Sequence, residues 1–274
     1  MMSSGTHVAK LPVIDFSNPN LKPGSPEWDL VKHQVRRALE EYSCFEASFD
    51  QVVELRNTEF GAMEEVFDLS LETKKLYVSD KPFRGYFGHR SKLLESMMID
   101  EAQSAENIEE RLTTTLWPQG NISFSKTLVS FTEIASRLEK TIRRMIFEIF
   151  GVEKYIDEHI DSTNYLLKLM KYNAHGCISP QRHEHGAPTI WLNGGLPATY
   201  HRVVVKGNNA RYCVGLFAAS KGGFRVKAPE DLVDDKNPVL FKPFDYEEFL
   251  GFYLTQVVPG GARTGLTAYC SAMT

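Results

Sequence analysis

Basic charge is scarce in this chain of 274 residues, where 31 Lys and Arg face 35 Asp and Glu for a net charge of -4. Neither sign is clustered, so the positive face expected of a nucleic-acid binder is absent. Cysteine is scarce too: Cys44, Cys177, Cys213 and Cys270 are far apart and form no Cys-x-x-Cys pair. That spacing argues against a disulfide framework or a structural zinc and fits a reducing compartment. No run approaches the roughly twenty apolar residues of a membrane span, and Met1 to Lys10 is polar with no apolar core of a leader. The expectation is a cytoplasmic protein with neither a membrane nor a nucleic-acid partner. Gly222-Gly223 lies in no phosphate-loop or dinucleotide pattern, so it reads as a chain break.

What is present is a change of texture along the chain. Leu11 to Phe16 is a short apolar run between turn formers and predicts a strand. Ser25-Pro26-Glu27 places a hydroxyl cap, a proline and an acid where a helix begins. Trp28, Val31, Val35, Leu39 and Tyr42 then mark its buried face. Cys44 to Ala47 reads as a second strand, and residues 51 to 67 as a second helix. Ser79 to Asn121 is polar and loop-rich, with the character of a lid and its clearest turn at Arg84-Gly85-Tyr86-Phe87-Gly88. The strongest helix spans about 125 to 150, with Leu128, Phe131, Leu138, Ile142, Met145 and Ile149 as its stripe and Gly151 as its cap. Arg137, Glu139, Lys140, Arg143 and Arg144 form a charged face read as solvated. After Asp161 the signals are strands: Tyr165 to Tyr172, His201 to Val205 and Tyr212 to Ala218. Helices first and strands later predict an α+β protein.

Candidate chemistry gathers in that second half. His201 opens an apolar strand, and Arg211 stands ten residues on, across the turn Lys206-Gly207-Asn208-Asn209. Alone, a histidine so placed is more often a structural or surface residue than a ligand. Arg211 in an apolar context calls for a carboxylate, which a ligand can supply. Arg182-His183-Glu184-His185 is dense in metal-capable groups. With His201 it could build the two-histidine, one-carboxylate face that suits non-haem Fe(II), or it is a polar loop between Pro180 and Pro188. His159-Ile160-Asp161 has the His-x-Asp form but sits at a helix end beside Asp157 and Glu158, and is set aside. His89 and His175 receive no role.

Several landmarks resemble the plant 2-oxoglutarate- and Fe(II)-dependent dioxygenases. They are Leu11 to Phe16, Ala38 to Tyr42 before Cys44-Phe45, and Asp68 to Lys74. Arg84-Gly85-Tyr86, Leu116-Trp117-Pro118, Tyr200-His201-Arg202-Val203 with Arg211, and Lys242-Pro243-Phe244 through Tyr253 complete the set. The resemblance spans nearly the whole chain and points to the branch of the glucosinolate side-chain dioxygenases and their relatives on auxin or specialised metabolites. It implies a helical N-terminal region before a double-stranded β-helix, or jelly roll. The corresponding divisions are an N-terminal domain with lid-like loops over 1–122, a supporting helix over 123–160 and the jelly roll over 161–274. It implies Fe(II) as metal, 2-oxoglutarate as cosubstrate, molecular oxygen and a small plant metabolite as substrates, and ascorbate as a supporting reductant. His201 corresponds to an iron ligand, Arg211 to the clamp on the distal carboxylate of 2-oxoglutarate, and Tyr172 to a second contact there.

Three departures qualify the expected activity. The family's Arg-x-Ser is Arg211-Tyr212-Cys213 here, and a thiol is a weaker hydrogen-bond donor than a hydroxyl. The family's His-x-Asp has its nearest counterpart in His183-Glu184-His185, with histidine where the carboxylate belongs and Glu184 one residue early. Eighteen positions separate His183 from His201, where the family has roughly fifty between ligands on separate strands. About forty residues are thus expected to be missing from a truncated jelly roll, enough for several strands. The expected function is oxidation of a small metabolite by hydroxylation, desaturation or dealkylation, impaired in this chain. The alternative is a non-catalytic family derivative that binds without turnover, or a non-functional truncated product.

Overall fold

The computed structural model describes residues 10–88, 94–173, 187–198, 203–205, 207–256 and 264–271. Strand β1 (Val13–Asp15) leads to helix α1 (Pro26–Tyr42), and β2 (Glu46–Ser48) returns parallel to β1. Ser25 caps α1 as its sequence predicts, its Oγ accepting from Trp28 N at 3.1 Å, with Pro26 in the first turn. Ser25→Ala is therefore expected to cost about 1 kcal/mol in a urea titration, with an unchanged slope. Helix α1 is pinned from the other end of its first turn: Trp28 Nε1 donates to Glu148 at 2.8 Å, and Lys32 pairs with the same carboxylate at 2.9 Å.

Helix α2 (Asp50–Asp68) and the short α3 (Leu71–Lys74) precede two strands, β3 (Gly85–Phe87) and β4 (Leu94–Ile99). Then α4 (Ala105–Asn107), a π-helical turn (Ile108–Thr113) and α5 (Thr114–Leu116) run end to end. The stretch expected as a lid is thus largely structural. Met97, Ile99, Ile108 and Leu112 are completely buried. Arg84 to Gly88 is not a surface turn either. Gly85 starts β3 at φ +89°, and a Cβ there would meet Tyr77 O at 2.9 Å, so only glycine fits.

Helix α6 (Ile122–Phe150) crosses the molecule and ends at Gly151 in the left-handed conformation, φ +67°. Its charged face is not uniformly solvated. Arg143 is buried, pairs with Glu139 at 2.7 Å, and donates to Thr163 Oγ1 at 2.6 Å. Burial overrides the sequence pattern because a 3₁₀ turn (Glu153–Tyr155) and α7 (Ile156–Asp161) fold back over it. Strand β5 (Thr163–Tyr172), helix α8 (Ala187–Trp191) and strand β6 (Arg211–Ser220) follow. A small ladder of β7 (Arg225–Val226) and β8 (Phe244–Asp245) precedes α9 (Tyr246–Thr255) and α10 (Leu266–Cys270).

The central sheet has the order β3-β4-β5-β6, antiparallel throughout. The long pair β5-β6 runs in register from Thr163 opposite Ser220 to Tyr172 opposite Arg211. One face packs on α2 and α6: Met97, Ile99, Leu167 and Leu169 join Met63, Val66 and Leu128, with Tyr212, Val214 and Leu216 against them. Because side chains alternate, the other face carries Met98, Leu166, Lys168, Met170, Tyr172, Arg211, Cys213 and Phe217. Tyr246 of α9 packs on the end of that face formed by Met98, Leu166 and Ala219.

The α+β order holds. A second large sheet facing the first is not formed among the described residues. Val203–Val205, expected as strand, joins no ladder there, and β6 has no partner on its outer edge among them. An apolar run needs a neighbouring strand to become one, whatever its β-propensity.

Candidate cosubstrate site

The register of β5 and β6 brings three of the sequence-predicted residues onto one face. Arg211 lies directly opposite Tyr172, and Cys213 directly opposite Met170. Directly paired residues share a face, so guanidinium, phenol and thiol rise from one end of the sheet. The phenol of Tyr172 is buried, and its Oη donates weakly to Met170 Sδ at 3.4 Å. Burial holds its pKa above the usual tyrosine range, helped by Cys213 and opposed by the positive charge of Arg211. The phenol therefore stays protonated, and an anion could take over its hydrogen bond from the weak thioether contact.

Arg211 differs from the buried guanidinium expected in an apolar setting. It is exposed, as the first residue of β6, which has no outer neighbour among the described residues. No carboxylate among the described residues pairs with it. A fork of donors, a protonated phenol and a neighbouring thiol on one rigid pair of strands suit one end of a dicarboxylate. The residues present fit that part of 2-oxoglutarate.

His183, Glu184, His185 and His201 lie outside the described residues, as do His89 and His175. Among the described residues no three His, Cys, Asp or Glu side chains come together as a metal site.

His159 is accounted for without a metal. Its Nδ1 faces Arg143 Nη1 at 3.1 Å, and its ring meets Phe147 and Trp191 edge-on at 5.1 and 4.9 Å. Burial, reinforced by Arg143, lowers its pKa to about 3, so it stays neutral and accepts from the arginine. A cavity of about 330 Å³ lined by Tyr155, His159, Trp191 and Arg225 adjoins it. Since α7 leads directly into Thr163, that cavity is at the opposite end of β5 from Tyr172.

One residue on the site face escaped the sequence reading: Lys168, in the middle of β5 between Met98 and Gly215 on the flanking strands. Its signal was a lysine inside an otherwise apolar strand, Leu166-Leu167-Lys168-Leu169-Met170.

Residues 11–119 match the family described as non-haem dioxygenase in morphine synthesis, N-terminal. A probable 2-oxoglutarate-dependent dioxygenase of Arabidopsis thaliana, AOP1.2, is 41% identical, the match covering 90% of this chain and 92% of the relative. The chain belongs to the 2-oxoglutarate-dependent dioxygenase family. Among solved structures, the rice dioxygenase for auxin oxidation superposes with a TM-score of 0.74 at 19% identity, covering 96% of this chain and all of that one. JOX2, solved with 2-oxoglutarate, iron and JA, gives a TM-score of 0.71 at 16% identity, over 95% of this chain and 88% of that one. These two likenesses show the fold that the chain shares with these oxygenases, a jelly roll.

The alignment with the Arabidopsis relative has a further property. It is 297 positions long although only 90% of this 274-residue chain, about 247 residues, takes part. About 50 of its positions (297 less 247) are therefore residues of the relative with no counterpart here. No described helix is long and apolar enough to cross a membrane.

Proposed function

We propose that this chain binds 2-oxoglutarate through Arg211, Tyr172 and Cys213 and oxidises a small metabolite with impaired turnover. The observation that carries the reading is the direct pairing of Arg211 with Tyr172 at the end of a rigid two-strand ladder. Arg211 would grip the distal carboxylate bidentately, and Tyr172 would donate a third hydrogen bond to it. Cys213 stands where the family has serine and donates more weakly. His201 would hold iron together with a partner from His183, Glu184 or His185. With iron bound, the cosubstrate and molecular oxygen supply the oxidant, and 2-oxoglutarate leaves as succinate and carbon dioxide. The role of the chain is to orient both partners and keep water from the site. Ascorbate would support turnover by keeping iron reduced.

Impairment rests on two features. Histidine stands at position 185, where the family's ligand pattern has a carboxylate, and about 50 residues of the Arabidopsis relative are without counterpart. We place the missing residues between His183 and His201, within a truncated barrel, where the ligand spacing is short. The substrate class is a small plant metabolite, and the reaction a hydroxylation, desaturation or dealkylation in the cytoplasm.

Anaerobic titration of Fe(II) into the purified chain, with and without 2-oxoglutarate, tests the site. The expected result is a visible charge-transfer band that needs both components, saturates near one iron per chain and disappears in His201→Ala. Succinate formation should then be slower than in the Arabidopsis relative assayed alongside. A folded chain that gives no band sinks the oxygenase reading. The same aligned-length excess favours a second reading, a non-catalytic family derivative that binds without turnover. Succinate formation tightly coupled to substrate oxidation would end it.

A further inference from the structure

The site face carries a second cation without a partner among the described residues. Lys168 is four residues from Tyr172 along β5, and Gly215 opposite it is four residues from Arg211 along β6. At about 3.3 Å per residue the two cationic positions are about 13 Å apart on the same face. The neighbours of Lys168 on that face are Leu166 and Met170 along its strand, with Met98 and Gly215 across. None of them offers an oxygen. No hydrogen bond or ion pair among the described residues holds its ammonium, and burial pulls its pKa below the usual lysine range with no acid to oppose it. A cation in apolar surroundings destabilises the fold unless something anionic meets it. Gly215, lacking a side chain, lets Phe217 and Met170 close in beside it. A Cβ there would come within 3.2 Å of Phe217 and 3.5 Å of Met170.

Arg211 already has its proposed anion in the cosubstrate, whereas Lys168, about 13 Å away along the ladder, has none assigned. We propose that Lys168 binds the anionic group of the organic substrate, so that this chain takes a carboxylate-bearing metabolite. The inference rests on the site face being the one proposed above for 2-oxoglutarate. It assigns Lys168 to substrate selection, apart from the cosubstrate clamp.

Two matched pairs of probes test it by equilibrium dialysis against the full chain in saturating 2-oxoglutarate: phenylacetate with phenylacetamide, and hexanoate with hexanamide. The acids are expected to bind at least about tenfold more tightly than the amides, the effect of one charge-assisted hydrogen bond. Lys168→Met should erase that preference while leaving 2-oxoglutarate affinity unchanged within about twofold and raising Tm, since an unpaired cation is removed. Lys168→Arg should restore the preference, which separates charge recognition from packing. Acids and amides binding alike, no binding of either, or a preference that survives in Lys168→Met would each overturn the proposal. So would a loss of 2-oxoglutarate affinity in Lys168→Met, which would make the lysine a cosubstrate contact. A wild-type chain that fails to bind 2-oxoglutarate marks the failure of the underlying site reading instead.

Discussion

Arg211→Met is expected to weaken 2-oxoglutarate binding by about one to two orders of magnitude and to leave the fold intact. A bidentate guanidinium–carboxylate contact consists of two charge-assisted hydrogen bonds, each contributing about 1.5–3 kcal/mol when held in good geometry. Arg211 is exposed, so solvent screening takes the expectation toward the lower end. Two such bonds at that end give about 3 kcal/mol, about a hundredfold in Kd, and partial screening brings it toward tenfold. The variant should fold because the guanidinium has no protein carboxylate among the described residues to abandon. Titration calorimetry of 2-oxoglutarate into wild type, Arg211→Met and Tyr172→Phe decides the matter. Tyr172→Phe removes one neutral donor and should cost less, about fivefold. If Arg211→Met binds as wild type does, the clamp lies elsewhere and the assignment of this face fails with it.

Most of the helical frame was legible in the sequence because its signals are local. Ser25-Pro26, the stripe from Leu128 to Ile149 and Gly151 each act through the turn they occupy. The pair β5-β6 was legible as two apolar runs, and its register then supplied the geometry of the site. What escaped depends on distant partners. In Leu94-Glu95-Ser96-Met97-Met98-Ile99 only alternate residues face α2 and α6, and the polar ones disguise a central strand as loop. Arg143 reads as a surface charge until α7 and Thr163 close over it. Lys168 was invisible as chemistry because nothing in the sequence says which face of β5 is left free by the helices. The iron ligands remain a matter of motif resemblance, since His183, Glu184, His185 and His201 all lie outside the described residues.

Glu59→Gln is expected to stabilise the protein by about 3 kcal/mol at pH 8.5 and by almost nothing at about pH 4. Glu59 lies on α2, only 3% exposed, and neither carboxylate oxygen has a hydrogen-bond partner among the described residues. Burial alone raises its pKa to about 7 from an ordinary value of 4.5. Folding thus favours the protonated acid. Below the unfolded pKa both states are protonated and the residue behaves as a neutral amide would. As pH rises from 4.5 through 7, the unfolded chain ionises freely while the folded one must hold its proton or bury a charge, so stability falls. The loss levels off above about pH 7, and a shift of that size corresponds to about 3 kcal/mol at 1.36 kcal/mol per pH unit. Glutamine keeps the shape and cannot ionise, so its advantage should grow across that window and then remain constant. The neighbouring long helix, α6, carries another buried oxygen without a partner, Thr132 Oγ1, which does not titrate and so adds no slope of its own. Urea midpoints of wild type and Glu59→Gln, taken at half-unit steps from pH 4 to 9, should diverge between 4.5 and 7. Parallel curves would mean that the carboxylate is solvated or paired in solution, and that the packing of α2 on α6 is looser than the structure shows.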